Sequence, residues 1–304
     1  MTRATLTQRA AIASVCTAVF LLALKSWAAW ITGSVAMLGS LADTALDLVA
    51  SLVTLFSVRY AAQPADRAHR FGHGKAEALA ALFQVVLISI SACGIAVQAV
   101  RRLIAGDVTA NAEYGIGVSI AALVATLALI AYQRHVIRQT RSIAISADNV
   151  HYQSDLLLNG SVIAALILDQ FLGVTGADPV FGVLIALWLL YGALRASTSA
   201  INQLMDREWP EEKRQRFLAI VAQHHELHGV HDLRTRSSGA LDFVQFHVWV
   251  RPDMTVAEAH EISEAAERDL MAAFPDTEIL IHLDPDGQID RLGEPDEALR
   301  ETPE

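Results

Sequence analysis

Apolar residues run almost unbroken through the first two thirds of the chain, whereas the last third mixes short apolar patterns with charge. A helix needs roughly 20 mostly apolar residues to cross a hydrocarbon core about 30 Å thick. Six segments reach that length, at residues 11–32, 35–60, 77–104, 114–137, 147–172 and 178–201. Thr32, Gly33 and Ser34 leave only a tight hairpin between the first two, and residues 173–177 leave a short turn before the last. The run after Arg9 is longer than the apolar core of a cleavable signal and is followed by further spans, so it reads as a membrane helix. The pattern predicts a membrane-embedded, all-α bundle of six helices over residues 1–202.

Beyond residue 202 the period shortens. Pro210 with Glu211 and Glu212 opens a short helix reaching about residue 224, because proline fits the first turn and acids complement the N-terminal dipole. Residues 231–236 and 242–250 read as strands, the second alternating and rich in Val and Phe. Val256, Ala259, Ile262, Ala266, Leu270 and Phe274 fall near helical spacing. Thr255 is their predicted N-cap, and Glu258, three residues on, completes a capping box. Residues 278–283 form a third strand. The order αββαβ predicts a small two-layer α+β domain over residues 203–287, and residues 288–304 an acidic, loose tail.

Charge sharpens this division. Only 18% of the 304 residues are charged, where a soluble domain has about a quarter. Up to residue 202 there are 13 Lys/Arg against 10 Asp/Glu; thereafter there are 10 against 23. An acidic domain repels phosphates, which argues against a nucleic-acid partner, and suits contact with cations. With the N-terminus in the cytoplasm, that side carries Arg3, Arg9, Arg59, Arg67, Arg70, Lys75, Arg134, Arg138 and Arg141, and the other side only Arg101 and Arg102. The positive-inside bias therefore places both termini in the cytoplasm. Cys16 and Cys93 lie in apolar runs and read as small core residues, too few for a thiolate metal site.

Ionisable groups inside a bilayer are expensive and mark function by default. The second span holds Asp43 and Asp47, the fifth His151 and Asp155. Each pair is spaced i, i+4, on one helix face. Three carboxylates left without a cation would repel one another and take up protons. Together with the imidazole they make a four-ligand tetrahedral set suited to Zn²⁺. Protons compete for the same ligands, so exchange of metal against protons is the expected mechanism. Lys25 and Asp169 are read as structural. Asp66, His69 and His73 form a second candidate cluster in the connection between the second and third spans. His231, His247, His260, His282 and Asp284, on or beside the predicted strands and second helix, form a third if the strands are adjacent.

Three patterns are set aside. His225-Glu226-Leu227-His228 is one residue short of the zinc-hydrolase helix motif. Asp284-Pro285-Asp286-Gly287 has its glycine too early for a calcium loop. Phe71-Gly72-His73-Gly74-Lys75 lacks the spacing of a phosphate loop.

The run Gly33-Ser34-Val35-Ala36-Met37-Leu38, then Asp43, Asp47, Gln63-Pro64-Ala65-Asp66 and Phe71 to Glu77, resembles the cation diffusion facilitator family. His151-Tyr152-Gln153-Ser154-Asp155, His231-Asp232-Leu233-Arg234-Thr235-Arg236 and Ile281-His282-Leu283-Asp284-Pro285 extend the resemblance, which points to the bacterial zinc and ferrous-iron efflux branch. It implies a homodimeric metal–proton antiporter of the bacterial inner membrane, with a metallochaperone-like cytoplasmic domain. It assigns transport to Asp43, Asp47, His151 and Asp155, and a peripheral loop site to Asp66, His69 and His73. A binuclear regulatory site falls to His231, His247, His282 and Asp284, with His260 nearby. Lys75 and Asp206 match a charge interlock that holds the dimer. Zinc is then both cargo and structural or regulatory ion, with Cd²⁺ and Fe²⁺ as further substrates and no organic cofactor. An enzyme is not expected, since no general base stands outside the ligand sets. The alternative is a membrane metal sensor without transport.

Overall fold

In the computed structural model, residues 2–32, 35–105, 116–172 and 177–287 are described. The predicted turns at 33–34 and 173–176, the start of the fourth span at Tyr114 and the tail after residue 287 lie outside them. The chain divides into two units, residues 1–201 and 202–304.

The first unit holds six long helices: α1 (Arg3–Thr32), α2 (Val35–Ala61), α3 (Ala76–Ala105), α4 (Ile116–Thr140), α5 (Ile143–Leu172) and α6 (Ala177–Leu204). Among the described residues, α1, α2, α3, α4 and α6 contain stretches long and apolar enough to cross a membrane. At 30 residues, α5 is as long as α1. Helix α1 packs on α2 and α4, α5 on α3 and α4, and α2 on α3. Ile185, Leu189 and Ala193 of α6 pack on Ile88 and Ala92 of α3. The bundle keeps alanines inside: Ala10, Ala11, Ala18, Ala50, Ala81 and Ala144 are wholly buried. Phe20, Trp27, Ile31, Phe56, Ile90 and Leu187 point outward. That inversion suits lipid, where close packing of small residues, not burial of large apolar ones, holds helices together. Cys16 and Cys93 correct the sequence expectation: both are exposed, on the outward faces of α1 and α3, because a bilayer accepts apolar side chains that water would drive inward.

The second unit has the predicted αββαβ order: α7 (Glu211–Val221), β1 (His228–Ser238), β2 (Leu241–Val250), α8 (Val256–Ala273) and β3 (Thr277–Pro285). The sheet order is β1-β2-β3, with β1 and β2 antiparallel and β2 and β3 parallel. Val244, Phe246, Val248 and Val250 alternate onto one face of β2. There they meet Phe217 and Leu218 of α7 and Ala266 and Leu270 of α8 in one apolar core. Gln245, His247 and Trp249, the intervening positions, therefore lie on the opposite face of the sheet. The capping box forms as predicted. The Thr255 hydroxyl accepts from the Glu258 backbone N–H, and the Glu258 carboxylate accepts from the Thr255 N–H at 2.8 Å.

Candidate metal sites

Helices α2 and α5 bring Asp47, His151 and Asp155 together, with one ligand atom from each within 4.8 Å of the others. His151 Nε2 lies 2.9 Å from Asp47 Oδ1, while its Nδ1 is buried without a hydrogen-bond partner. Asp43, one turn earlier on α2, is exposed and outside this close set. Lys25 donates to Thr44 Oγ1 at 2.7 Å, an α1–α2 tie of the structural kind. Asp169 lies among residues whose side chains are not described.

Sequence reasoning passed over the polar shell behind this cluster. Asp148 is fully buried, yet it accepts from Ser14 Oγ at 2.7 Å, Gln133 Nε2 at 2.7 Å and Gln84 Nε2 at 3.2 Å. Asn149 donates to Gln133 Oε1 at 2.9 Å, and Tyr152 and Ser51 pair their hydroxyls at 2.9 Å. The signal was present, because Asp148 falls inside the predicted span 147–172 and the rule that flags Asp155 flags it equally.

In the connection from α2 to α3, Asp66 folds back on its own backbone. Its Oδ1 accepts from the N–H groups of Ala68 and His69 at 2.8 and 2.6 Å, a turn typical of aspartate. These bonds, that from His69 foremost, hold the Asp66 carboxyl below the usual carboxylate range. His73 Nε2 lies 3.3 Å from Asp66 Oδ2 and His69 Nδ1 3.5 Å from Oδ1, so the three predicted ligands do converge. His73 is buried against the Tyr60 ring, with its Nδ1 unpartnered.

In the second unit, register does what spacing cannot. His231 of β1 pairs with His247 of β2, which pairs with His282 of β3, so three imidazoles stand in one row across the sheet. Asp284, two residues along β3, points from the same face. It lies 3.2 Å from His231 Nε2, 3.1 Å from His247 Nδ1 and 3.2 Å from His282 Nε2. Register shifts flank His231 on both sides, as bulges do where a strand must aim a side chain. The Nδ1 of His231 donates to the Gly229 carbonyl at 2.7 Å. That bond fixes the tautomer and leaves Nε2 with a lone pair, the arrangement of a metal ligand with its outer partner in place. Gly229 has φ +59°, and a Cβ there would meet Trp249 at 2.0 Å, so only glycine fits. His260 stays apart: it is exposed on α8 and pairs with Glu264 at 3.3 Å. Asp232, not foreseen, places Oδ2 3.8 Å from His247 Nε2. Asp206 lies 3.8 Å from Arg236 Nη1; Lys75 belongs to the other unit. His225 and His228 are exposed, as the rejection of the hydrolase motif requires.

Each cluster thus combines carboxylate oxygen with imidazole nitrogen; His151 Nδ1 and His73 Nδ1 are buried without a hydrogen-bond partner, and His231 Nε2 faces the Asp284 carboxylate at 3.2 Å. This donor chemistry fits Zn²⁺ and its neighbours.

The cation efflux transmembrane domain matches residues 11–205, and the cation efflux protein cytoplasmic domain matches residues 209–286. The chain belongs to the cation efflux family, the cation diffusion facilitators. It is a multi-pass membrane transporter with a cytoplasmic C-terminal domain, and not an enzyme. The cation-efflux pump FieF of Cronobacter sakazakii is 44% identical over 94% of this chain and 95% of its own. The pump of the same name from Yersinia pestis is 45% identical over 91% and 92%. A solved chain of CzrB in its zinc form is 38% identical, covers 28% of this chain and 99% of its own, and has a TM-score of 0.27.

Proposed function

We propose that this cation efflux protein exports divalent transition metal, zinc first and Cd²⁺ and Fe²⁺ as well, from the cytoplasm in exchange for protons. It does so as a homodimer in the bacterial inner membrane. The observation that carries the reading is the convergence of Asp47, His151 and Asp155 between two membrane helices. Two carboxylates balance a divalent charge, the imidazole supplies nitrogen, and Asp43, one turn away on α2, is the fourth tetrahedral ligand once metal draws it in. The ligands must shed protons to bind metal, so protons arriving from outside displace it. Hard ions that prefer six oxygens fit this set poorly. The FieF pumps, alike over nearly their whole length, support efflux as the direction.

Asp66, His69 and His73 are proposed as a peripheral metal site on the cytoplasmic connection. His231, His247, His282 and Asp284 are proposed as a regulatory metal site, with His260 at most an outlying contributor. Lys75 and Asp206 are proposed to interlock the dimer.

The test is zinc flux in reconstituted vesicles under an imposed pH gradient, comparing the native chain with Asp47→Ala. Metal movement that follows the gradient and is lost in the variant supports exchange through this cluster. Tight zinc binding without gradient-driven movement would make the protein a sensor and refute the proposal.

A further inference from the structure

Among the described residues, no Lys or Arg forms an ion pair with Asp148. Its carboxylate is wholly buried and held by neutral donors from three helices, Ser14 of α1, Gln84 of α3 and Gln133 of α4. The titratable groups whose charge reaches it are His151 on its own helix and Asp47 on α2, with the Tyr152 phenol one turn along α5. A buried carboxylate with only neutral hydrogen-bond donors is costly, so the network is informative chiefly for what it does when a proton arrives.

The hydrogen bonds accommodate either state. When Asp148 is ionised, the Ser14 hydroxyl donates to Oδ2 at 2.7 Å and accepts from Gln133 Nε2 at 2.9 Å. The carbonyl of Ala10 lies 3.2 Å from the same hydroxyl. When Oδ2 takes a proton from water, it donates to Ser14 Oγ, and the Ser14 hydroxyl turns to the Ala10 carbonyl. Gln133 keeps both of its bonds. A hydroxyl has one donor and two acceptor positions, so Ser14 is satisfied in both states and no helix has to move.

We propose that Asp148 is a proton-binding site of its own, separate from the metal-ligand set, with the Ser14 hydroxyl as the rotor that serves both of its states. Its bonds run away from the ligands, toward α1, α3 and α4, while His151 turns to Asp47. One consequence rests on the metal-export reading. Asp148 sits one turn before His151 on α5, so neutralising it weakens the hold of the ligand set on a cation and couples a proton to metal release without occupying a ligand.

The experiment is pH-difference infrared spectroscopy on the full chain in lipid nanodiscs at saturating zinc, which keeps the ligand carboxylates ionised. The protonated-carboxyl signal is expected to grow as pH falls and to hold a component that is missing from Asp148→Asn and present in Asp155→Asn; Glu77 and the exposed carboxyls add components common to both variants. A signal unchanged in Asp148→Asn overturns the proposal. If a component is lost instead in Asp155→Asn, zinc is not holding the cluster, and the metal reading fails with it. Should Asp148→Asn not fold, Ser14→Ala decides: it retains the acid but removes its acceptor, so the Asp148 component must shift in frequency, and an unshifted component overturns the rotor.

Discussion

The intramembrane and cytoplasmic clusters use the same chemistry, carboxylate and imidazole, but assemble it in opposite ways. In the membrane, Asp47 comes from one helix and His151 and Asp155 from another, the latter two one turn apart. In the cytoplasmic unit, three strands each give one histidine at the same register level, and Asp284 touches all three. The helical site draws its three groups from two long helices with no backbone hydrogen-bond ladder between them. The sheet site is fixed by a ladder of backbone hydrogen bonds. That difference suits the proposed roles, release of an ion at the first site and retention of one at the second.

Removing a proposed ligand from the helical site gives the largest expected effect. Loss of an outer partner alone lowers metal affinity or activity by about 10–100-fold, so Asp47→Ala, which deletes a proposed direct ligand, is expected to cut zinc flux by at least on the order of 100-fold. Hydrogen exchange of β2 in the same variant should match the native chain. Slowed flux together with faster exchange in β2 would mean that the two clusters are not separable.

Asp284→Ala is the reciprocal break. It withdraws the one carboxylate common to three imidazoles. A metal present at 100 times its dissociation constant stabilises its folded host by about 2.7 kcal/mol. That increment, read as zinc-dependent protection of residues 241–250 from hydrogen exchange, should disappear. Flux should survive, reduced, because the membrane ligands are intact. Unchanged protection would show that zinc binds the unit elsewhere.

How far each cluster could be read from the sequence follows from the same contrast. On a helix, spatial neighbours lie four residues apart, so His151 and Asp155 announce each other, and Asp43 and Asp47 do likewise. Asp43 shows the limit: spacing puts it on the ligand face but does not say how near α5 comes, and in the structure it remains outside the close set. The fold of the cytoplasmic unit was legible because alternation in β2 and the capping box at Thr255 are local signals. Its site was legible only as a list. His231 and His282 are 51 positions apart in the chain, and only the pairing of β1, β2 and β3 aligns them while leaving His260 on a helix. Asp148 itself was legible, as an acid inside a predicted span, but its network was not: its partners are serine and glutamine, drawn from three other helices and carrying no charge to mark them.

A third prediction tests whether the rigid site depends on its backbone. Gly229→Ala introduces a Cβ at 2.0 Å from the Trp249 ring in a left-handed conformation. Such strain and overpacking cost about 1–3 kcal/mol. The Gly229 carbonyl also orients His231, so zinc protection of β2 should weaken along with stability in the absence of metal. A loss of stability with full zinc protection would show that the Gly229 bond does not set the His231 ligand.

The smallest expected effect separates folding of the cytoplasmic unit from its metal. Thr255→Ala removes the N-cap of α8, on the core side of the sheet and away from the histidine row, and should cost about 1 kcal/mol with or without zinc. The box also carries a pH signature. The Thr255 backbone N–H, and next its hydroxyl, hold the Glu258 carboxyl below the usual carboxylate range. A group whose folded pKa is lowered stabilises the fold above its unfolded pKa, about 4.3 for Glu. That contribution fades as pH falls from there through the lower folded value. Native and Glu258→Gln chains should therefore differ in hydrogen exchange of α8 at neutral pH and converge in acid. Ions held at the proposed metal clusters would be lost in acid as well, but through ligand protonation, which should accelerate exchange in the β-sheet of both chains alike. Convergence confined to α8 identifies the cap; convergence that follows the sheet would mean that α8 owes its stability to the metal row on the opposite face.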